Sequence, residues 1–194
     1  MKKISLGLAV IAAMGFTLAG TANAANNGRL VFNGTLTDVT CDIGAGTGAS
    51  AGNNPGDINV DLGNVSFADI GRFADNRLET ASPIQLLVTC SGGAAAYDTV
   101  TMRFVARQGS GLDARDQRLL RTTGAADGVG IGLLNSSYQL MDLSGNETIP
   151  APLVEDGAGG ATAEINFGAV YVLSTAATRP GNADGFLPFV MDYQ

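Results

Sequence analysis

The chain has 194 residues and a formal charge of −7, with no His, no Trp and two Cys. Without His there is no Ser–His–Asp or Cys–His triad and no His metal ligand, and two Cys cannot build a four-cysteine zinc site. The acidic balance argues against nucleic acid, which selects basic surfaces.

In chain order, Lys2 and Lys3 precede an apolar stretch over residues 4–18, and Ala22-Asn23-Ala24 supplies a small-residue cleavage signal. This pattern predicts an export signal over residues 1–24, because the apolar stretch is too short and too broken by Gly to span a membrane. Removing it takes away both Lys, leaving nine Arg against 18 acids, a formal −9 for residues 25–194. Schiff-base, phosphate-loop and Ser–Lys chemistries then lack their lysine. Export also bears on the cysteines: in an oxidising compartment Cys41 and Cys90 have only each other, which predicts a disulfide over the alternative of two buried thiols.

After a polar tag over residues 25–28, Leu30, Phe32, Gly34 and Leu36 alternate with Val31, Asn33, Thr35 and Thr37 in a run that reaches Cys41. Further short runs rich in Val, Ile, Leu, Phe and Tyr predict strands over residues 29–43, 58–67, 83–90, 99–106, 129–134, 139–143, 163–173 and 186–193. Val100, Met102 and Phe104 alternate with Thr99, Thr101 and Arg103, the period of a strand with one buried face. Residues 44–56 read as an exposed Gly-rich loop, and a short helix is expected around residues 68–78. No repeat or composition shift marks a second domain, so residues 39–194 read as one all-β domain preceded by the extension 25–38.

Three local patterns fail as sites. The run Asp57-Ile58-Asn59-Val60-Asp61 begins like a calcium loop, yet Leu62 replaces the turn glycine and Ala68 stands where the bidentate Glu belongs. Gly128-Val129-Gly130-Ile131-Gly132 lacks dinucleotide-loop spacing and reads as a strand closely approached by a neighbour. Arg115, Arg118 and Arg121, interleaved with Asp113 and Asp116, read as a charge-mixed face. The residues therefore imply no catalytic group, metal or cofactor.

The two ends carry a resemblance. Leu30-Val31-Phe32-Asn33-Gly34-Thr35-Leu36 followed by Cys41 resembles the amino-terminal segment of chaperone–usher pilins of the type 1 fimbrial family. Residues 83–90 resemble the strand bearing their second cysteine. Gly181 is fourteenth from the end and Tyr193 penultimate, as in that family.

The resemblance implies an incomplete immunoglobulin-like β-sandwich lacking its last strand, completed by donor-strand complementation. It implies a structural subunit of an adhesive fimbria, delivered by a periplasmic chaperone to an outer-membrane usher and exported to the cell surface. Related or identical subunits would then join head to tail, and this chain would be a major shaft pilin. Leu30, Phe32 and Leu36 would enter a neighbour's groove, with Gly34 where the floor leaves no room. Phe189, Met191 and Tyr193 would line this subunit's own groove near Gly181, and basic chaperone residues would hold the Gln194 carboxylate. The alternatives are a minor or adaptor pilin, or a monomeric exported carbohydrate-binding module whose terminal strands pair within one molecule.

Overall fold

Alternating apolar residues can be buried only if the strands bearing them stack in two layers, and that is the observed solution. The computed structural model describes residues 40–71, 81–145 and 147–194, so the predicted signal and the donor residues Leu30, Phe32, Gly34 and Leu36 lie outside the described residues. The described strands are β1 (Thr40–Ala45), β2 (Ser50–Ala51), β3 (Ile58–Asn59), β4 (Ser82–Ser91), β5 (Thr99–Phe104) and β6 (Leu120–Arg121). They continue with β7 (Val129–Leu134), β8 (Thr148–Pro152), β9 (Val154–Glu155), β10 (Ala161–Leu173) and β11 (Phe189–Tyr193).

The larger sheet runs β1-β4-β10-β7-β6, with β9 also on β10; the smaller runs β11-β5-β8; β2 and β3 form a separate pair. All pairings are antiparallel. Between the sheets lie Ile84, Leu86 and Val88 of β4, Ile165 of β10, and Val100 and Met102 of β5. The architecture is the expected all-β immunoglobulin-like sandwich, and its smaller sheet ends at β11 with no further described strand beyond it.

β7 is buried along its whole length. Ile131 and Leu133 face the inter-sheet core, while Leu134 joins Leu119, Val170 and Val172 in a second cluster with Leu140 packed on it. The alternate glycines let that cover come close, since a Cβ at Gly132 would collide with Leu140. The close approach read from the Gly-rich run is therefore present.

Several expected elements need correction. Of residues 58–67 only Ile58–Asn59 form a ladder, although Val60 and Leu62 still turn inward between exposed Asp61 and Gly63. An extended segment becomes a ladder only beside a partner, and past β3 this one has none among the described residues. Residues 139–143 contribute a single bridge, Leu140 to Leu134, because they are turn-flanked cover for β7. Residues 68–71 are turn and coil, and 72–80 lie outside the described residues. The Gly-rich loop is partly ordered: β1 extends to Ala45, and main-chain bonds of 2.8 Å from Gly46 N to Gln85 O and from Gln85 N to Thr47 O prolong its pairing.

Candidate functional site: an open edge above an apolar groove

The smaller sheet presents an edge whose geometry follows from period-two alternation. Thr99 and Gln194 exchange both main-chain hydrogen bonds, each at 2.9 Å. Thr99, Thr101 and Arg103 of β5 therefore direct their main-chain groups toward β11, and Val100 and Met102 direct theirs toward β8. On β11, Val190 and Asp192 complete the ladder to β5. The N–H and C=O groups of Phe189, Met191 and Tyr193 face the opposite way, toward the free edge.

The same three residues turn their side chains inward and are half-buried, whereas Val190 and Asp192 are exposed. Phe189, Met191 and Tyr193 all pack against the inter-sheet core. Among the described residues, this row thus offers main chain without a ladder partner sideways and apolar side chains inward.

Beside this edge lies a groove of about 1260 Å³. Its far wall is the unladdered segment bearing Val60, Leu62 and Phe67, and its floor includes Ile84, Leu86, Met102 and Ile131. Phe189 and Leu187 stand on the β11 side. Phe104 and Phe167, both on the lining, meet edge to face with ring centroids 5.7 Å apart. Phe186, also on the lining, is 65% exposed. An apolar trough beside such an edge can pair an added extended segment through its main chain and take up its alternate side chains.

The charged groups that line the groove have one sign. Asp57, Asp61 and Asp184 line it and, among the described residues, no Arg or Lys does. The Tyr171 hydroxyl, also on the lining, donates to Ala183 O at 2.9 Å. Burial, then the carboxylates of Asp184 and Asp61, push its pKa above the usual phenolic value. That bond fastens β10 to the residues leading into β11.

Gly181 lines the groove with φ of 155°, and a Cβ there would lie 2.7 Å from Ala125. Met191 and Tyr193 lie further along β11, beyond the groove lining; Tyr193 packs edge to face with Tyr97 at 6.3 Å. The Gln194 main-chain oxygen accepts N–H bonds from Asp98 at 2.7 Å and Thr99 at 2.9 Å.

Cys41 and Cys90 are bonded to each other and stand directly opposite in the β1–β4 register. Sequence reasoning missed the far wall's unpaired state and β8; Thr148-Ile149-Pro150-Ala151-Pro152 alternates apolar with polar or Pro, but two prolines argue against a strand unless it lies at an edge. The Arg cluster forms ion pairs at the surface, Arg115 with Asp127 at 3.0 Å and Arg118 with Asp116 at 2.6 Å.

No family model matches the chain. It is 29% identical over 178 residues to the major fimbrial subunit SMF-1 of Stenotrophomonas maltophilia (strain K279a), covering 89% of this chain and 95% of that one. Among solved structures it aligns with the CupB6 tip adhesin of Pseudomonas aeruginosa at 25% identity and a TM-score of 0.48, over 68% of this chain. It spans 34% of that adhesin's length. The nearly end-to-end likeness to SMF-1 bears out the resemblance to a fimbrial subunit drawn from the terminal motifs.

Proposed function

We propose that this chain is a structural subunit of an adhesive fimbria, a major shaft pilin that polymerises head to tail by donor-strand exchange. The observation that carries the reading is the free β11 edge above the apolar groove. A strand added there gains main-chain bonds from Phe189, Met191 and Tyr193 and covers the groove with its alternate side chains. Residues 25–38 of the next subunit are the proposed donor, with Leu30, Phe32 and Leu36 entering the groove and Gly34 passing its tightest point.

The contact is heterologous, one subunit's extension in another's groove, so it builds an open filament instead of a closed ring. Before assembly a periplasmic chaperone would cover the edge, engaging the Gln194 carboxylate through basic residues, and an outer-membrane usher would receive the complex. Signal removal after Ala24 and export through the periplasm to the cell surface complete this reading. The role is structural and requires no catalytic group. The match to a major subunit, covering both chains nearly whole, favours a shaft pilin over an adaptor.

The test is a denaturing gel of surface-sheared material, run with and without boiling. A ladder of very large species that collapses on heating to a band near the mature mass is expected. A band already monomeric without heating sinks the proposal and favours the monomeric alternative. Deleting residues 25–36 should separately abolish polymer while leaving chaperone binding intact.

A further inference from the structure

The smaller sheet has two edges, and strand addition as proposed above uses one of them. We infer that Pro150 and Pro152 close the other, making them determinants of where a partner strand can dock. β8 pairs with β5 through Ile149 opposite Met102 and Ala151 opposite Val100. Because Thr99 bonds Gln194 on the far side of β5, Val100 and Met102 direct their main-chain groups at β8, and Ile149 and Ala151 answer them. Thr148, Pro150 and Pro152 then face the free edge with their main chain.

Proline has no N–H, so two of the three positions facing outward on β8 offer an incoming strand no donor. Both prolines are exposed, while Ile149 and Ala151 are buried. The prolines are therefore not held in place by packing in the core, and their consequence falls on the edge. On β11 the corresponding positions are Phe189, Met191 and Tyr193, each with a donor and an acceptor. One sheet thus carries a receptive edge and a blocked one, and an extended apolar segment offered to it by a second copy finds one place to pair. The prolines set growth along a single line and suppress side-by-side association.

The test replaces Pro150→Thr and Pro152→Thr in the full chain. Threonine there would stand opposite Thr101 and Thr99 on β5, a favourable cross-strand pairing, so the sheet is expected to persist. Sheared wild-type filaments should remain single and take up a fluorescent peptide of residues 27–38 only at their ends. The double variant should sediment severalfold more at low speed, as bundles, and bind the peptide along its length. Variant filaments that stay single and unlabelled overturn the inference.

The single variants P150T and P152T, each restoring one donor, guard against misfolding of the double. Failure of both to fold would assign the prolines to the fold and equally overturn it. If the wild-type chain forms no filaments, the polymerisation reading fails separately. The edge inference is then judged by sedimentation of the soluble chain, where severalfold greater self-association of the variant supports it and unchanged association overturns it.

Discussion

The two sheets of the sandwich solve opposite problems. The larger carries two added supports: Leu119, Leu134, Val170 and Val172 form an apolar cluster on its outer face, and a disulfide fastens β1 to β4. The smaller has three strands, and its β11 edge stands open over a groove of about 1260 Å³. The difference teaches that a chain can leave one sheet unfinished if the other carries enough of the stability. An open edge and uncovered groove weaken a small sandwich, and the cross-link and second cluster, both in the larger sheet, offset that weakness.

The largest expected effect tests this division at the disulfide. Replacing Cys41 and Cys90 by Ala should cost about 4 kcal/mol in denaturant unfolding, the chain-entropy value for a loop of this length. The cross-link spans 49 residues and joins directly opposed positions, so its removal frees β1 from both the bond and its register. A loss below about 1 kcal/mol would mean that the larger sheet does not depend on it and would break the comparison.

Next come two core truncations, one per sheet. Ile165 on β10 is fully buried, and Ile165→Ala should cost about 3 kcal/mol whether or not the groove is filled. Phe189 on β11 is half-buried over the groove. Phe189→Ala should cost about 1 kcal/mol in the empty subunit and more once a peptide of residues 27–38 is docked, because docking completes its burial. Unfolding with and without peptide measures both. Equal costs for Phe189 in the two states would remove the groove's claim to be unfinished.

A smaller effect concerns Tyr171, whose hydroxyl bond to Ala183 O ties the larger sheet to the groove wall. Tyr171→Phe should lose about 1 kcal/mol at neutral pH. Its pKa is raised in the folded protein by burial and then by the nearby Asp184 and Asp61 carboxylates, so folding favours the protonated phenol. That contribution is complete below the ordinary phenolic value near 10.0 and is lost as pH rises from there through the folded pKa. The Phe variant should lack this alkaline loss, measured by thermal unfolding from pH 8 to about 11.

Much of this division was legible in the residues, and the reasons it was not all legible are physical. Alternation in Thr99–Phe104 and the apolar run of Val129–Leu134 marked strands because each has neighbours to satisfy it. The two cysteines pointed to each other because no other thiol exists. Residues 58–67 have the pattern of a strand, and Val60 and Leu62 obey it, but a ladder needs a second strand that the described residues do not supply. β8 was invisible for the converse reason. Its prolines forbid a central strand, and only the knowledge that it lies at an edge makes them acceptable. The groove itself is a property of two segments more than a hundred residues apart, and no local pattern announces which of them will be left unpaired.

The smallest expected effect lies on the loop that contributes Leu119 to the cover of the larger sheet. Asp116 accepts from the Arg118 guanidinium at 2.6 and 2.8 Å and from the Arg118 main-chain N–H at 3.1 Å. The side-chain bonds to Arg118 hold its carboxyl below the ordinary value of 3.8, outweighing the opposing effect of burial. As pH falls the unfolded chain takes up this proton first, so the stabilisation present above about 3.8 is lost as pH drops through the folded pKa. The Arg118 side chain is 38% exposed, and solvent screening keeps the contribution under about 1 kcal/mol. Asp116→Asn should therefore lower stability slightly at pH 6, with the gap unchanged down to about 3.8 and closing only as pH falls below that through the folded pKa. Because Leu119 follows this pair directly and packs on Val170 and Val172, the acid loss should appear first as faster hydrogen exchange in β7 and the end of β10, leaving β11 and β5 unaffected. Exchange that rises instead along β11 would place the acid-sensitive element in the smaller sheet and reverse the assignment of the larger sheet as the secured one.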